Sequence, residues 1–192
     1  INLDIPQSAA PQLTAVNLLE DVTIEGLHIE AQCPEALESE LREVTCTNSE
    51  VIDDGAVLAL YTDGTHMRAL SARAFGKFTF EVRDSLRARV TDCAMDHPSA
   101  YGSGGQGYGV HLIGASRSVI EGCAVSVARH GVVVDFGSSD SQILNGTFER
   151  MNQALLDVHG EASRDTLMRG NTLTDGIIGV IIGGGGRAVH CN

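Results

Sequence analysis

Two stretches of the sequence place a histidine close to an aspartate in similar surroundings. The segment ARHGVVVDFGSS contains His130 and Asp135, and the segment ALLDVHGEAS contains Asp157 and His159. An imidazole titrates near neutral pH, and a neighbouring carboxylate can orient it as a general acid or base. We therefore name His130, Asp135, Asp157 and His159 as candidate catalytic residues.

These four residues allow more than one interpretation. Asp157 and His159 alternate with apolar residues, so they share one face of a strand, and we expect that face to point outward. His130 could instead cap a turn, and Asp135 could be a solvated acid at a strand end. Asp135 and Asp157 could also form the carboxylate pair of a glycosidase.

The strands that would position these residues follow from two sets of regularly spaced glycines. The first set is spaced by 24 residues and the second by 23, at Gly122, Gly146 and Gly170, and at Gly114, Gly137, Gly160 and Gly183. A unit of this length, with period-2 alternation and Gly, Asn or Ser corners, is typical of one coil of a parallel β-solenoid. Leucine-rich and helical repeats do not fit this pattern. We predict an all-β domain over residues 1–192, with about seven coils of roughly 23 residues.

Stacked coils bring residues two dozen positions apart into contact, because adjacent strands lie about 4.8 Å apart. The candidate residues fall in three consecutive coils, which span about 10 Å. Alignment on the glycines puts Tyr108 level with His130, Asp157 with Val134 and His159 with Phe136. Asp135 is then one step out of phase with Asp157, so we expect a β-bulge in one of the strands.

Other segments depart from the repeat. Residues 95–109, rich in Gly and Ser, predict a projecting loop, and insertions in solenoids map to the binding face. Residues 1–20 and 33–44 could supply a cap or side loop, the latter as a short helix.

Composition excludes several functions. The net charge of −12 disfavours nucleic acid and anionic membrane surfaces as partners. We find no apolar run long enough to span a membrane. The chain begins at Ile1 and ends inside a repeat unit, so we expect a fragment of a longer protein.

The five cysteines do not have metal-site spacing, because the sequence contains no C-x-x-C. We expect small buried thiols, with Cys93 and Cys123 stacked at equivalent coil positions. No metal site or cofactor is predicted; calcium remains possible without a motif that indicates it.

Three segments together resemble a known family: GQGYGVHLIGAS, ARHGVVVDFGSSDSQILNGTF and ALLDVHGEASRDTLMRGNT. They resemble the pectate-lyase-like right-handed parallel β-helix proteins, and among these the phage tailspikes and tail-associated polysaccharide depolymerases. The resemblance covers residues 104–175 well and residues 20–95 by pattern only. The sequence departs from classical pectate lyases because it lacks an evident calcium-binding Asp cluster with the expected Arg base.

The resemblance implies a polysaccharide partner held across the side wall, a homotrimer, and a virion or secreted location. Its motif positions correspond here to Arg129, His130, Asp157 and His159. We add Tyr108 and His111 to Arg129 as candidate substrate-binding residues, with Arg129 suited to a uronate or another anionic group.

The leading hypothesis is a polysaccharide depolymerase, either a hydrolase or a lyase, in which His130 or His159 transfers protons and Asp157 orients the imidazole. The alternative is a non-catalytic glycan-binding, receptor-binding or structural segment of a virion fibre, since fold does not fix function. An epimerase or transferase on the same scaffold is a third hypothesis.

Overall fold

The computed structural model describes residues 18–30, 55–73, 77–97 and 107–183. The regular elements of these ranges are β-strands, and their pairings are parallel. In chain order the strands are β1 (Leu19–Glu20), β2 (Thr23–Glu25), β3 (His28–Glu30), β4 (Val57–Leu60), β5 (Thr62–Asp63), β6 (His66–Arg68), β7 (Ser71–Arg73), β8 (Phe78–Arg83), β9 (Arg89–Thr91), β10 (Ala94–Asp96), β11 (Tyr108–Ile113), β12 (Val119–Glu121), β13 (Ala124–Ala128), β14 (His130–Asp135), β15 (Gln142–Leu144), β16 (Thr147–Val158), β17 (Leu167–Arg169) and β18 (Thr172–Ile182).

The chain visits three faces in a fixed order. Face 1 contains β2, β6, β9, β12, β15 and β17. Face 2 contains β3, β7, β10, β13 and the first halves of β16 and β18, whereas face 3 contains β4, β8, β11, β14 and the second halves of β16 and β18. Each face therefore has six levels within the described residues. This winding is that of a parallel β-helix, so the predicted all-β solenoid is confirmed.

The core consists of apolar ladders that run along the solenoid axis. On face 3, Phe80, Val110, Val132 and Leu156 are paired in successive strands, and all four are buried. A buried Val or Leu side chain contributes about 1.5–3 kcal/mol, so a ladder of this kind stabilises every coil against its neighbour. Large aromatic residues are therefore not needed throughout the core.

The predicted thiol ladder is also present. Ala94 pairs with Ala124, which puts Cys93 and Cys123 at the same position of adjacent coils. Both thiols are buried and free.

Several predicted segments lie partly or wholly outside the described residues. Strand β10 ends at Asp96 and β11 begins at Tyr108, so the two ends of the loop predicted over 95–109 lie in strands, and its remainder falls between faces 2 and 3 of one coil. Residues 98–106 of that loop, and most of the proposed cap segments 1–20 and 33–44, are not among the described residues. Within the described part of the chain, no helix is long and apolar enough to cross a membrane.

Candidate functional site

The candidate residues converge on the outer surface of face 3. Tyr108 pairs with His130 across β11 and β14, as the glycine alignment predicts. Their rings contact each other edge to face, with centroids 5.3 Å apart. The His111 ring also contacts the Tyr108 ring edge to face, at a centroid distance of 5.1 Å.

Gly131 allows the coils to approach each other beside His130. A Cβ at position 131 would lie 2.4 Å from the carbonyl oxygen of Leu155 in the next coil and 2.7 Å from the Phe148 ring. Any larger residue would push the coils apart at this corner. The glycine that follows His130 in the sequence motif is therefore a packing requirement.

A β-bulge in β16 fixes the position of Asp157 and His159. Ala128 pairs with Met151, 23 residues later, whereas Val133 pairs with Asp157, 24 residues later. The extra residue lies between Met151 and Ala154, where the register of β16 against β18 also shifts. The expected bulge is therefore confirmed.

The bulge also overturns the alignment predicted for these residues. Asp157 is level with Val133 rather than Val134, and the backbone N–H of His159 donates to the Val134 carbonyl. His159 therefore lies beside Asp135 rather than beside Phe136. Asp135, Asp157 and His159 consequently face the same side, and the predicted phase difference is wrong because the alignment omitted the inserted residue.

Asp135, Asp157 and two imidazoles form a continuous row across two coils. His159 Nδ1 lies 2.9 Å from Asp157 Oδ1, and His159 Nε2 lies 3.6 Å from Asp135 Oδ2. The second oxygen of Asp157 lies 3.3 Å from His130 Nδ1. Neither the His159 Nδ1 contact nor the His130 Nδ1 contact is aligned as a hydrogen bond.

The row continues away from His159 through a buried pair. His111 Nδ1 lies 2.9 Å from Glu81 Oε2, and His111 Nε2 lies 3.7 Å from Asp135 Oδ2. Arg83 contacts the other oxygen of Glu81. Asp135 therefore lies between the two imidazoles of His111 and His159.

Gln153 connects the other end of the row to Arg129. Arg129 Nε donates a hydrogen bond of 2.7 Å to Gln153 Oε1, and His130 Nε2 lies 3.0 Å from the same oxygen. Arg129 thus donates to a neutral amide rather than to a carboxylate.

The row opens to solvent at a shallow depression of about 410 Å³. Its lining residues are Tyr108, Arg129, His130, Gln153, Asp157, His159 and Ile181. The side chain of His159 is 34% exposed, whereas Asp157 and His130 are each only 3% exposed. His159 is therefore the titratable group of this lining that a ligand reaches most easily.

The surroundings shift the pKa values of the three imidazoles in different directions. Contact with the Asp157 carboxylate raises the pKa of His159, although burial opposes the shift. Burial alone would lower the pKa of His111, but Asp135 and Glu81 together outweigh it and the pKa is raised. Burial lowers the pKa of His130 to about 4, despite the opposing effect of Asp157.

These directions agree with a count of charges. Glu81, Asp135 and Asp157 are buried carboxylates, and uncompensated charges of this kind are costly. Arg83, together with His111 and His159 when these are protonated, supplies the same number of positive charges. Among the described residues this count leaves the charge of Arg129 uncompensated, which favours an anion at the open end of the row.

A family model for the right-handed β-helix region matches residues 37–192, which is most of the chain. The chain belongs to the right-handed β-helix family. Neither the curated proteins nor the solved structures contain a match. Membership of the family establishes the right-handed solenoid and leaves the function to be inferred from the site.

This β-helix brings together all seven residues named from the sequence, but with different exposures. Neither His111 nor Asp135 lines the depression; both are buried, and His111 contacts Glu81 and Asp135. Neither Glu81 nor Gln153 was assigned a role from the sequence. Glu81 could have been found as the residue one coil before His111. Alignment on the glycines places Gln153 or Ala154 level with His130, but it does not locate the bulge that turns Gln153 toward the depression.

The donor set of the β-helix was also tested for a metal centre. In the part of the chain that the structure describes, no three His, Cys, Asp or Glu side chains are arranged to hold a metal ion. The described acids and imidazoles of the row contact one another instead.

Proposed function

We propose that this β-helix protein is a polysaccharide depolymerase that cleaves a glycan bound over the depression on face 3. The observation that carries the proposal is the environment of His159. Its imidazole is partly exposed, lies between the carboxylates of Asp135 and Asp157, and shares a depression with the Arg129 guanidinium. An imidazole held between carboxylates beside a cation suits proton transfer on an anionic sugar.

His159 is best suited to donate a proton. The Asp157 carboxylate raises the pKa of His159 and so favours its imidazolium form, and the same carboxylate at Nδ1 orients the ring. Nε2 lies 3.6 Å from Asp135, beyond hydrogen-bond distance, so its proton is available to a ligand. Asp157 also contacts His130, so one carboxylate positions both imidazoles.

Hydrolysis is the reaction that uses this proton directly. His159 protonates the glycosidic oxygen as its bond to the anomeric carbon breaks. Water then supplies a hydroxyl to that carbon and returns a proton to the imidazole, so the enzyme is restored. Asp135, beside Nε2, stabilises the imidazolium in this scheme and is not the attacking group.

Arg129 and Tyr108 are assigned to substrate binding. The guanidinium would pair with a carboxylate of an acidic sugar, and such pairs are charge-assisted. Tyr108 presents its ring beside His130 in the same depression. A closer relationship to pectate-lyase-like proteins or phage tailspikes, a homotrimeric assembly, and a virion or secreted location are further parts of this proposal.

Incubation with bacterial-surface and plant polysaccharides tests the function. Release of reducing ends measures cleavage by either reaction, and ultraviolet absorbance of unsaturated uronates reports elimination alone. We expect reducing ends without unsaturated products, and a loss of at least about 100-fold in His159→Gln, as for removal of a general acid. His28→Gln, an exposed histidine on face 2, is the matched control and should retain activity. Equal rates in wild type and His159→Gln would remove His159 from the mechanism.

The pH profile separates the two reactions. As an acid, His159 must be protonated, so activity falls as pH rises through its raised pKa. As a base in elimination it must be neutral, so activity rises over the same interval.

A non-catalytic glycan-binding or structural segment is the second candidate function. It is favoured by the burial of Glu81, Asp135 and Asp157, whose charges are compensated by neighbouring side chains. Glycan binding without cleavage across the polysaccharide panel would support it.

A further inference from the structure

We propose that Gln153 is a positioning residue that aims Arg129 at the carboxylate of an acidic sugar and fixes the tautomer of His130. The acidic sugar as ligand follows from the proposed function. The two contacts of Gln153 can be tested without any activity.

One oxygen atom of Gln153 makes both contacts. Arg129 Nε–H can only donate, so the amide must turn its oxygen toward it, and the distance is 2.7 Å. The same oxygen lies 3.0 Å from His130 Nε2. Because a carbonyl oxygen only accepts, neutral His130 must carry its proton on Nε2.

This tautomer determines what faces Asp157. With the proton on Nε2, the unprotonated nitrogen of His130 is Nδ1, which lies 3.3 Å from Asp157 Oδ2. That Nδ1 is buried and has no hydrogen-bond partner. The unprotonated Nδ1 of His130 and the Asp157 carboxylate therefore face each other without a shared proton, and the same carboxylate contacts His159.

The bulge in β16 explains how Gln153 reaches both partners. Gln153 lies between Met151 and Ala154, where the register shifts, and its backbone N–H donates to the carbonyl of Arg129. A one-residue slip turns a side chain to the opposite face of a sheet, and bulges redirect side chains beside functional sites. The inserted residue therefore turns Gln153 into the lining of the depression.

The contact with Gln153 also selects the ligand. Because Nε of Arg129 is engaged by Gln153, a ligand carboxylate would be bound by the guanidinium nitrogens on the side that is open to the depression. A hydrogen bond from a guanidinium to a carboxylate is charge-assisted and stronger than one to a neutral hydroxyl. A uronic-acid oligosaccharide therefore fits this site better than a neutral one.

Gln153→Met keeps the length of the side chain and removes its oxygen. The matched control is Gln142→Met, at a half-buried glutamine of β15 on face 1. Circular dichroism verifies folding. If Gln153→Met does not fold, Gln153→Asn replaces it, because the shorter amide cannot span the same two contacts.

Two measurements are made on each variant. Nitrogen-15 NMR at pH 8 reads the tautomer of His130, and calorimetry measures binding of galacturonate, glucuronate and neutral glucose oligosaccharides. We expect Gln153→Met to lose the fixed Nε2–H tautomer and to bind acidic oligosaccharides at least about 10-fold more weakly, as for loss of a hydrogen bond to a charged group. Gln142→Met should match wild type. Gln153→Glu restores an acceptor oxygen and should restore the tautomer.

An unchanged tautomer together with unchanged affinity in Gln153→Met would overturn the inference. Equal affinity of the wild type for acidic and neutral oligosaccharides would also overturn it. If acidic oligosaccharides bind in a Gln153-dependent manner but no polysaccharide is cleaved, the proposed depolymerase function fails and the role of Gln153 stands.

Discussion

Replacing Asp157 with Asn tests the environment of His159 most directly. The substitution preserves the shape of the side chain and removes its charge. Asp157 Oδ1 lies 2.9 Å from His159 Nδ1, and the carboxylate is 3% exposed. Loss of this charge should lower the pKa of His159, because that contact is the main cause of its upward shift.

The size of the shift follows from Coulomb's law. Two unit charges about 3 Å apart interact by roughly 1.4 kcal/mol even at the dielectric constant of water, which corresponds to about one pKa unit. Burial of Asp157 strengthens the interaction, whereas the partial exposure of His159 weakens it. We therefore expect Asp157→Asn to lower the pKa of His159 through the loss of an interaction on the order of 1 kcal/mol.

Proton NMR titration of the His159 imidazole measures this decrease in folded protein. Glu161→Gln is the control, since Glu161 is an exposed carboxylate two residues further along the chain. The raised pKa of His159 contributes stability that is present below pH 6.5 and is lost as pH rises through the folded-state value. The deficit in the free energy of unfolding of Asp157→Asn should therefore be larger at pH 6 than at pH 9. Identical titration of His159 in wild type and Asp157→Asn would refute the reasoning.

Three other predictions concern the same row. In Gly160→Ala, the new Cβ would lie 2.0 Å from Asp135 Oδ1, and the backbone φ is +85°. We expect the free energy of unfolding, measured in urea, to fall by about 1–2 kcal/mol because of the left-handed backbone, and to fall further because of the steric contact. Gly183→Ala, one coil later and in open space, should cost less; equal losses would contradict the steric argument. Folding lowers the pKa of His130 to about 4. Between pH 6.5 and about 4, its imidazole is therefore protonated in the unfolded protein but not in the folded protein. The free energy of unfolding of the wild type, measured in urea, should therefore decrease by on the order of 3 kcal/mol as pH falls across that interval, and that of His130→Gln should decrease less. Parallel pH profiles of the two proteins would argue against this prediction. Finally, chelation with EDTA should leave glycan cleavage unchanged, because the described acids and imidazoles do not form a metal-ligand group; recovery of lost activity on adding calcium would contradict this prediction.

The repeat and the residues on it could be predicted from the sequence because a solenoid is built from local rules. Each coil pairs only with its neighbours, so a period of about 23 residues determines which residues stack. The pairing of Tyr108 with His130 follows from that period. The stacking of Cys93 and Cys123, which are 30 residues apart, follows from the period together with the insertion between them. The outward face of Asp157 follows from its alternation with the core residues Leu156 and Val158.

The register past Met151 could not be predicted in the same way. One inserted residue moves every later side chain by one position, and nothing in the composition of residues 151–154 marks where it is accommodated. Contacts between the side chains of neighbouring coils were also difficult to predict. Glu81 was overlooked although it lies one coil from His111, because its burial depends on how neighbouring side chains cover it.

The sequence by itself therefore determined the winding of the chain and the set of chemical groups on three consecutive coils. The winding and this set of groups both follow from the local repeat, because each coil hydrogen-bonds to the coils next to it. Only the tertiary structure decided that His159 is the accessible imidazole and that His111 is buried. Which imidazole is accessible depends on the bulge and on the packing of side chains between coils. Neither can be read from the order of residues along one strand.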